Sequence, residues 1–204
     1  MKINNILLIG ILVLTITSCN NTERNNKTSE SSTGQNEAKA EKEPYNESIQ
    51  NVFFGIPFGA NYDEVCEKLS QDFWIDDDIS TKIRLSLTPK KSKKISFGDR
   101  SWDCLDLYFS NSRFYGIIFY STYKTKASAM SDLEGLYSTV SKKYNMKIVQ
   151  PNDTTIYGEA YGITKTYQQV VVKCYSYESV GHERWIGVSL NYYDFNFKGV
   201  SDEL

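Results

Sequence analysis

The stretch CLDLYFSNSRFYGIIFYS, residues 104–121, decides the fold class. Leu105, Leu107 and Phe109 alternate with Asp106 and Tyr108, the two-residue period of a strand with one buried face. Asn111-Ser112 supplies turn chemistry. Phe114 to Ser121 is then apolar at nearly every position, as in a strand that is covered on both faces. Two strands joined by so short a turn form an antiparallel hairpin, and everything around it must pack on that hairpin.

Upstream, Ile83, Leu85 and Leu87 alternate in the same way, and PKKSKK (residues 89–94) reads as a basic turn. Before them, Val52-Phe53-Phe54 is an extended segment leading into Gly55-Ile56-Pro57-Phe58-Gly59. Asn61 with Glu64 three residues on resembles a capping box, and Asp63 and Glu64 suit the positive end of a helix dipole. Tyr62, Val65, Cys66 and Leu69 then mark one helical face. Downstream, a second helix is predicted over Ser128–Tyr144. Met130, Leu133, Leu136, Tyr137, Val140 and Tyr144 form its buried stripe, Lys142 and Lys143 sit at its C-terminal end, and Asn145 stops it. Strands follow near Thr155–Tyr161, Tyr167–Tyr177 and Arg184–Tyr193. In the last, Ile186, Val188, Leu190 and Tyr192 line one face against Gly187, Ser189 and Asn191. This order predicts an α+β fold: two helices packed on one side of an antiparallel sheet, with one helix-plus-meander unit used twice.

The dense aromatic and β-branched character begins near Asn51 and lasts to Phe197, so a single domain is expected over residues 49–198, with 199–204 as a tail. Residues 19–48 contain almost nothing apolar, and a segment of Asn, Ser, Thr, Glu and Lys cannot bury enough surface to offset its ordering entropy. A disordered tether of this length has a root-mean-square span of roughly 30 Å and a taut reach of about 100 Å. Residues 1–18 read as a cleaved secretory signal, with Lys2 as a positive start and Ile6 to Leu14 as the apolar run. That run is far shorter than the roughly 20 apolar residues of a spanning helix. Ile16-Thr17-Ser18-Cys19 resembles the lipobox of bacterial lipoproteins. The resemblance implies cleavage before Cys19, lipid on its thiol and attachment to a membrane of the cell envelope. Asn20, in place of an acidic residue, implies the outer membrane by the sorting habit of that family.

Phe54-Gly55-Ile56-Pro57-Phe58-Gly59, the helix after it, Leu133, Tyr137, Val140, Lys143 and Tyr144, and the closing Val188, Leu190 and Tyr193-Asp194-Phe195-Asn196 together resemble an uncharacterised family of exported bacterial lipoproteins. Those proteins carry a GIP(h)xG segment before the first helix, a KYG end to the second and a Y-x-D-x-x-N-like strand end. Asn145 stands here in place of the KYG glycine, and the terminal motif is one residue shorter. The pattern of elements is also similar to tandem folds of the β-lactamase-inhibitor-protein type and to small outer-membrane assembly lipoproteins, which implies protein binding and no catalysis.

The residues that carry chemistry agree with a binding role. The chain has 23 basic and 25 acidic residues, so it offers no basic balance of the kind nucleic acid demands. His182 is the sole histidine and lies in a polar, glycine-containing turn, ESVGHER, where a solvated residue is the simpler reading than a general base. Asp76-Asp77-Asp78 fails the calcium-loop pattern, because Thr81 and Leu87 occupy the places of its glycine and its glutamate. No Cys-x-x-Cys pair supports zinc. No metal or cofactor is expected. Cys66, Cys104 and Cys174 allow at most one disulfide and read most simply as small buried side chains. Two features remain as interaction candidates. One is Lys90, Lys91, Lys93 and Lys94, four ammonium groups that either meet an anionic surface or are solvated and guard a strand edge. The other is Tyr157, Tyr161, Tyr167, Tyr175 and Tyr177, either recognition residues or residents of half-buried strands. The expectation is a non-catalytic, membrane-anchored module that binds another envelope protein. The alternative is a small-ligand or glycan binder that uses tyrosines on the sheet.

Overall fold

The computed structural model describes residues 45–76, 80–91, 94–178 and 183–199. The signal sequence, Cys19, Lys93 and His182 lie outside the described residues. Among those described, the elements in chain order are β1 (Val52–Phe53), β2 (Ile56–Pro57), α1 (Tyr62–Leu69), β3 (Phe73–Ile75), β4 (Arg84–Pro89), β5 (Ile95–Phe97), β6 (Arg100–Trp102), β7 (Cys104–Ser110) and β8 (Arg113–Tyr123). Then come α2 (Lys126–Lys143), β9 (Lys147–Val149), β10 (Ile156–Ile163), β11 (Gln168–Glu178), β12 (Arg184–Asp194) and a short 3-10 turn, Phe195–Phe197.

Eight strands make one antiparallel sheet in the order β3-β4-β7-β8-β12-β11-β10-β9. The fold is α+β with the strands dominant. The hairpin of residues 104–121 stands at its middle: Asn111 (φ 48°) and Ser112 (φ 60°) make the two-residue turn whose twist matches the strands. β8 pairs with β7 on one side and with β12 on the other. Being central, it is apolar on both faces for the reason the sequence suggested.

One side of the sheet carries the core. Leu87, Leu105, Phe119, Leu190, Val172 and Ala160 form a cross-strand row, and Leu85, Leu107, Ile117, Tyr192 and Val170 form the next. All are buried. α2 closes this side with Ala129, Leu133, Leu136 and Val140. Met130 and Tyr137, expected on the same stripe, are only partly buried. α1 adds Val65 and Leu69 beneath an Asn61 cap whose side chain accepts from the Asp63 N–H.

Helices of 8 and 18 residues are too small to cover eight strands. Two hairpins that the sequence reading did not separate complete the layer. β5–β6 lays Phe97 flat on Phe119, with centroids 4.2 Å apart and planes at 11°, and buries Trp102 completely. β1–β2 is a correction to the extended segment expected at Val52–Phe54. Phe54 (φ 52°) and Gly55 (φ 72°) form a two-residue turn that folds Ile56-Pro57 back on Val52-Phe53. Positive φ is unfavourable for phenylalanine, and the ring offsets this by packing on Phe73 at 5.4 Å and Phe119 at 6.2 Å. The hairpin thereby places Phe53 at the centre of the core, 5.0 Å from Tyr192 and 5.6 Å from Phe97.

The chain joins this compact unit earlier than residue 49. Asn46 Oδ1 accepts from the Asn145 N–H at 2.6 Å, and Asn46 N–H donates to the Ile163 carbonyl at 2.9 Å. Its side chain and backbone thus tie Asn145, two residues past α2, to the end of β10, which a purely compositional boundary does not register.

Candidate functional site

α1, α2 and both hairpins contribute to the core on one side of the sheet, and its other side is a tyrosine-rich face on which Phe195 of the 3-10 turn stacks against Tyr193, centroids 5.5 Å apart. The strand register places on that face, row by row, Arg84, Tyr108, Gly116, Tyr193 and Gln169; then Ser86, Asp106, Ile118, Asn191, Val171 and Tyr161; then Cys104, Tyr120, Ser189, Lys173 and Glu159; then Thr122, Gly187 and Tyr175. Tyr177, opposite Trp185, extends it.

Of the five tyrosines singled out in the sequence, Tyr161, Tyr175 and Tyr177 belong to this face, and Tyr175 and Tyr177 have ring centroids 5.9 Å apart. Tyr157 does not. It is the extra residue of a bulge between Ile156 and Gly158, packs against the helix-side core, and has the Lys126 ammonium 4.1 Å from its ring centroid. Tyr167 stands apart in a turn with φ 61° and is two-thirds exposed, at 66 %. The structure adds Tyr108, Tyr115, Tyr120 and Tyr193, which nothing in the sequence marks as sharing this face. Tyr115 is itself the extra residue of a bulge in β8, and this brings its ring to 6.5 Å from Tyr108.

Two mid-strand glycines were the available signal. Tyr193 is the cross-strand partner of Gly116, and Tyr175 that of Gly187. A Cβ at Gly116 would lie 2.7 Å from the Tyr193 ring, and one at Gly187 would lie 2.8 Å from the Tyr175 ring. Glycine inside a strand marks close approach by another group, and here each glycine makes the hollow in which a tyrosine rests.

The face also holds charge. Arg84 Nη2 donates to Asp106 Oδ2 at 2.7 Å, while Asp106 Oδ1 and Arg84 Nε have no hydrogen-bond partner among the described residues. Asp106 is 4 % exposed. Burial pushes its carboxyl above the usual range against the pull of Arg84. Burial likewise raises the phenols: Tyr175 to about 12, and Tyr108, Tyr120 and Tyr193 in the same direction. These hydroxyls are therefore neutral hydrogen-bonding groups at physiological pH. Lys173 and Glu159 pair at 3.6 Å across β10 and β11.

Over β8, β11 and β12 the face is recessed by about 290 Å³, lined in part by Asp153 and Thr155 from the segment before β10 and by Ile156 at its start. Ile118, Lys173, Tyr175, Ser189, Asn191 and Tyr193 complete the lining. Asn191 is 7 % exposed, and its Oδ1 has no partner among the described residues. Asp153 is held below the usual carboxylate range by the N–H and hydroxyl of Thr155, at 2.8 and 2.7 Å.

The described lysines of the cluster have different surroundings. Lys90 donates to the Ser70 carbonyl and stands 4.4 Å from the Trp74 ring centroid, which ties the turn to the edge strand β3. Lys94 pairs with Asp103 at 3.1 Å. Lys91 is exposed. The three described cysteines are free thiols. Burial raises all of them, Cys174 to about 11, so none is a ready thiolate nucleophile. Among the described residues no helix is long and apolar enough to cross a membrane, and no group of three His, Cys, Asp or Glu side chains is placed to hold a metal ion. No protein-family model, curated protein or solved structure matches this chain.

Proposed function

We propose that this protein is a lipoprotein of the bacterial envelope, anchored through Cys19, whose domain is a non-catalytic module that binds another envelope protein through the tyrosine face of its sheet. The observation that carries the reading is that face itself: tyrosines from β7, β8, β10, β11 and β12 share the side of the sheet opposite the core that α2 closes, with Phe195 of the 3-10 turn stacked on Tyr193 at its margin. Tyrosine covers contact area with few rotatable bonds and keeps a hydroxyl for hydrogen bonding, which favours it in recognition surfaces. The order β3-β4-β7-β8 followed by β12-β11-β10-β9 also supports reading the sheet as two helix-plus-meander units joined through their last strands.

Crosslinking in intact cells, followed by purification of the protein and identification of what accompanies it, tests this role. The expected result is a specific envelope protein whose capture falls in Tyr161→Ala and Tyr177→Ala and is lost in the double variant. Capture of nothing, where a control lipoprotein is crosslinked efficiently, overturns the reading. The anchor is tested separately: Cys19→Ala is expected to move the protein from the membrane to the soluble fraction.

A further inference from the structure

We propose that the recess on the tyrosine face is a binding site for a single pyranose ring of a neutral saccharide, held by Asn191 and Asp153 between Tyr175 and Tyr193. The proposal stands apart from protein docking on the rest of the face, and either can fail alone.

The recess, about 290 Å³, is at the small end of the roughly 300–1,000 Å³ of ligand sites and suits one ring better than a large cofactor. Its floor is apolar at Ile118 and its wall at Ile156, and Tyr175 and Tyr193 are seated by the hollows over Gly187 and Gly116. A pyranose has the matching character, with apolar C–H faces and a girdle of hydroxyls that each donate and accept. Around the recess stand groups of every type such hydroxyls need: the Asp153 carboxylate as acceptor, the Lys173 ammonium as donor, and the Thr155, Ser189, Tyr175 and Tyr193 hydroxyls as both.

Asn191 is the group that asks for a ligand. Its side chain is more than nine-tenths buried, its amide is hydrogen-bonded toward Tyr193, and Oδ1 has no partner among the described residues. Exchanging the oxygen and nitrogen of the amide leaves one of the two without a partner just the same. A buried polar atom without a partner is costly, and a hydroxyl can satisfy it in either orientation because it both donates and accepts. A fixed anion or cation is a poorer fit: Lys173 is loosely paired with Glu159 and also acts on the Asp153 carboxylate, so neither sign of charge prevails in the recess.

The test is saturation-transfer NMR on the purified protein with the methyl glycosides of glucose, galactose, mannose and N-acetylglucosamine, each at millimolar concentration. At least one is expected to receive saturation from the wild-type protein. Its affinity is expected to fall about tenfold or more in Asn191→Leu, about two- to tenfold in Asp153→Ala, where the lost hydrogen bond is solvent-exposed, and to be unchanged in Lys142→Ala. Asp153 is exposed, and its carboxylate accepts from the N–H and hydroxyl of Thr155, so the Asp153→Ala variant keeps the test decisive if Asn191→Leu does not fold. No transfer to any of the four glycosides, or transfer that is the same in both variants, overturns the site. Capture of a crosslinked protein partner that persists in Asp153→Ala would then leave the docking face in place without a saccharide subsite.

Discussion

At the scale of single residues, the tyrosine face is built by what neighbouring positions leave out. Gly116 and Gly187 lack the one carbon that would collide with Tyr193 and Tyr175. Gly116→Ala is therefore expected to destabilise the domain by about 1–3 kcal/mol, the usual cost of overpacking, as a lower urea midpoint with an unchanged slope. An unchanged midpoint would mean that the Tyr193 ring swings away freely. Asp106 gives a pH signature. Its folded-state pKa is raised above the unfolded 3.8, so between those values the folded chain binds more protons than the unfolded one. Stability then falls as pH rises through that window. Asp106→Asn removes this slope, and urea melts of wild type and variant from pH 4 upward, at about half-unit steps, should converge toward the acid end. Parallel curves would show that the carboxyl titrates normally. Asp153 has the opposite sign, but its lowered pKa confines its effect to more acid pH.

At the scale of elements, capping and covering decide more than propensity. The helix starts are local: the Asn61 side chain accepts from Asp63 N–H and the Thr125 side chain from Ser128 N–H. The end of α2 is not local, because Asn46, 99 residues away in sequence, both accepts from the Asn145 N–H and donates to its carbonyl. Asn46→Ala should cost about 1–2 kcal/mol, the worth of the bonds it removes. A chain beginning at residue 45 should melt with the full-length protein, while one beginning at 49 should melt several degrees lower. Equal melting of the two chains would place residues 45–48 in the tether after all. Leu136, 1 % exposed on α2, is expected to cost about 2–5 kcal/mol as Leu136→Ala, measured by the same urea titration.

At the scale of the whole molecule, the sheet is thickest in its middle and thin at its edges. β8 and β12 are flanked on both sides, whereas β3 and β9 are three-residue edge strands with Trp74 and Ile148 largely exposed. Native-state hydrogen exchange should therefore show the highest protection in Ile117–Phe119 and Val188–Leu190, and the lowest in Phe73–Ile75 and Lys147–Val149. Uniform protection across the eight strands would contradict this gradient. The same rigid centre is what holds the floor of the tyrosine face in place.

The sequence alone determined the class of fold, both helices and the long strands, because each rests on a signal within one segment: a period of two or 3.6, an Asn cap, an Asn-Ser turn. It also identified tyrosine as the residue type to follow. It did not reveal the β1–β2 hairpin, where a phenylalanine in left-handed conformation is tolerated only because Phe73 and Phe119 receive its ring. Nor did it show which tyrosines share a face. That depends on register between strands far apart in the chain, and on two bulges that turn Tyr157 toward the helices and Tyr115 toward Tyr108. A bulge shifts the side-chain alternation by one residue, so a tyrosine's side of the sheet is fixed by its partner strand and only the tertiary structure decides it.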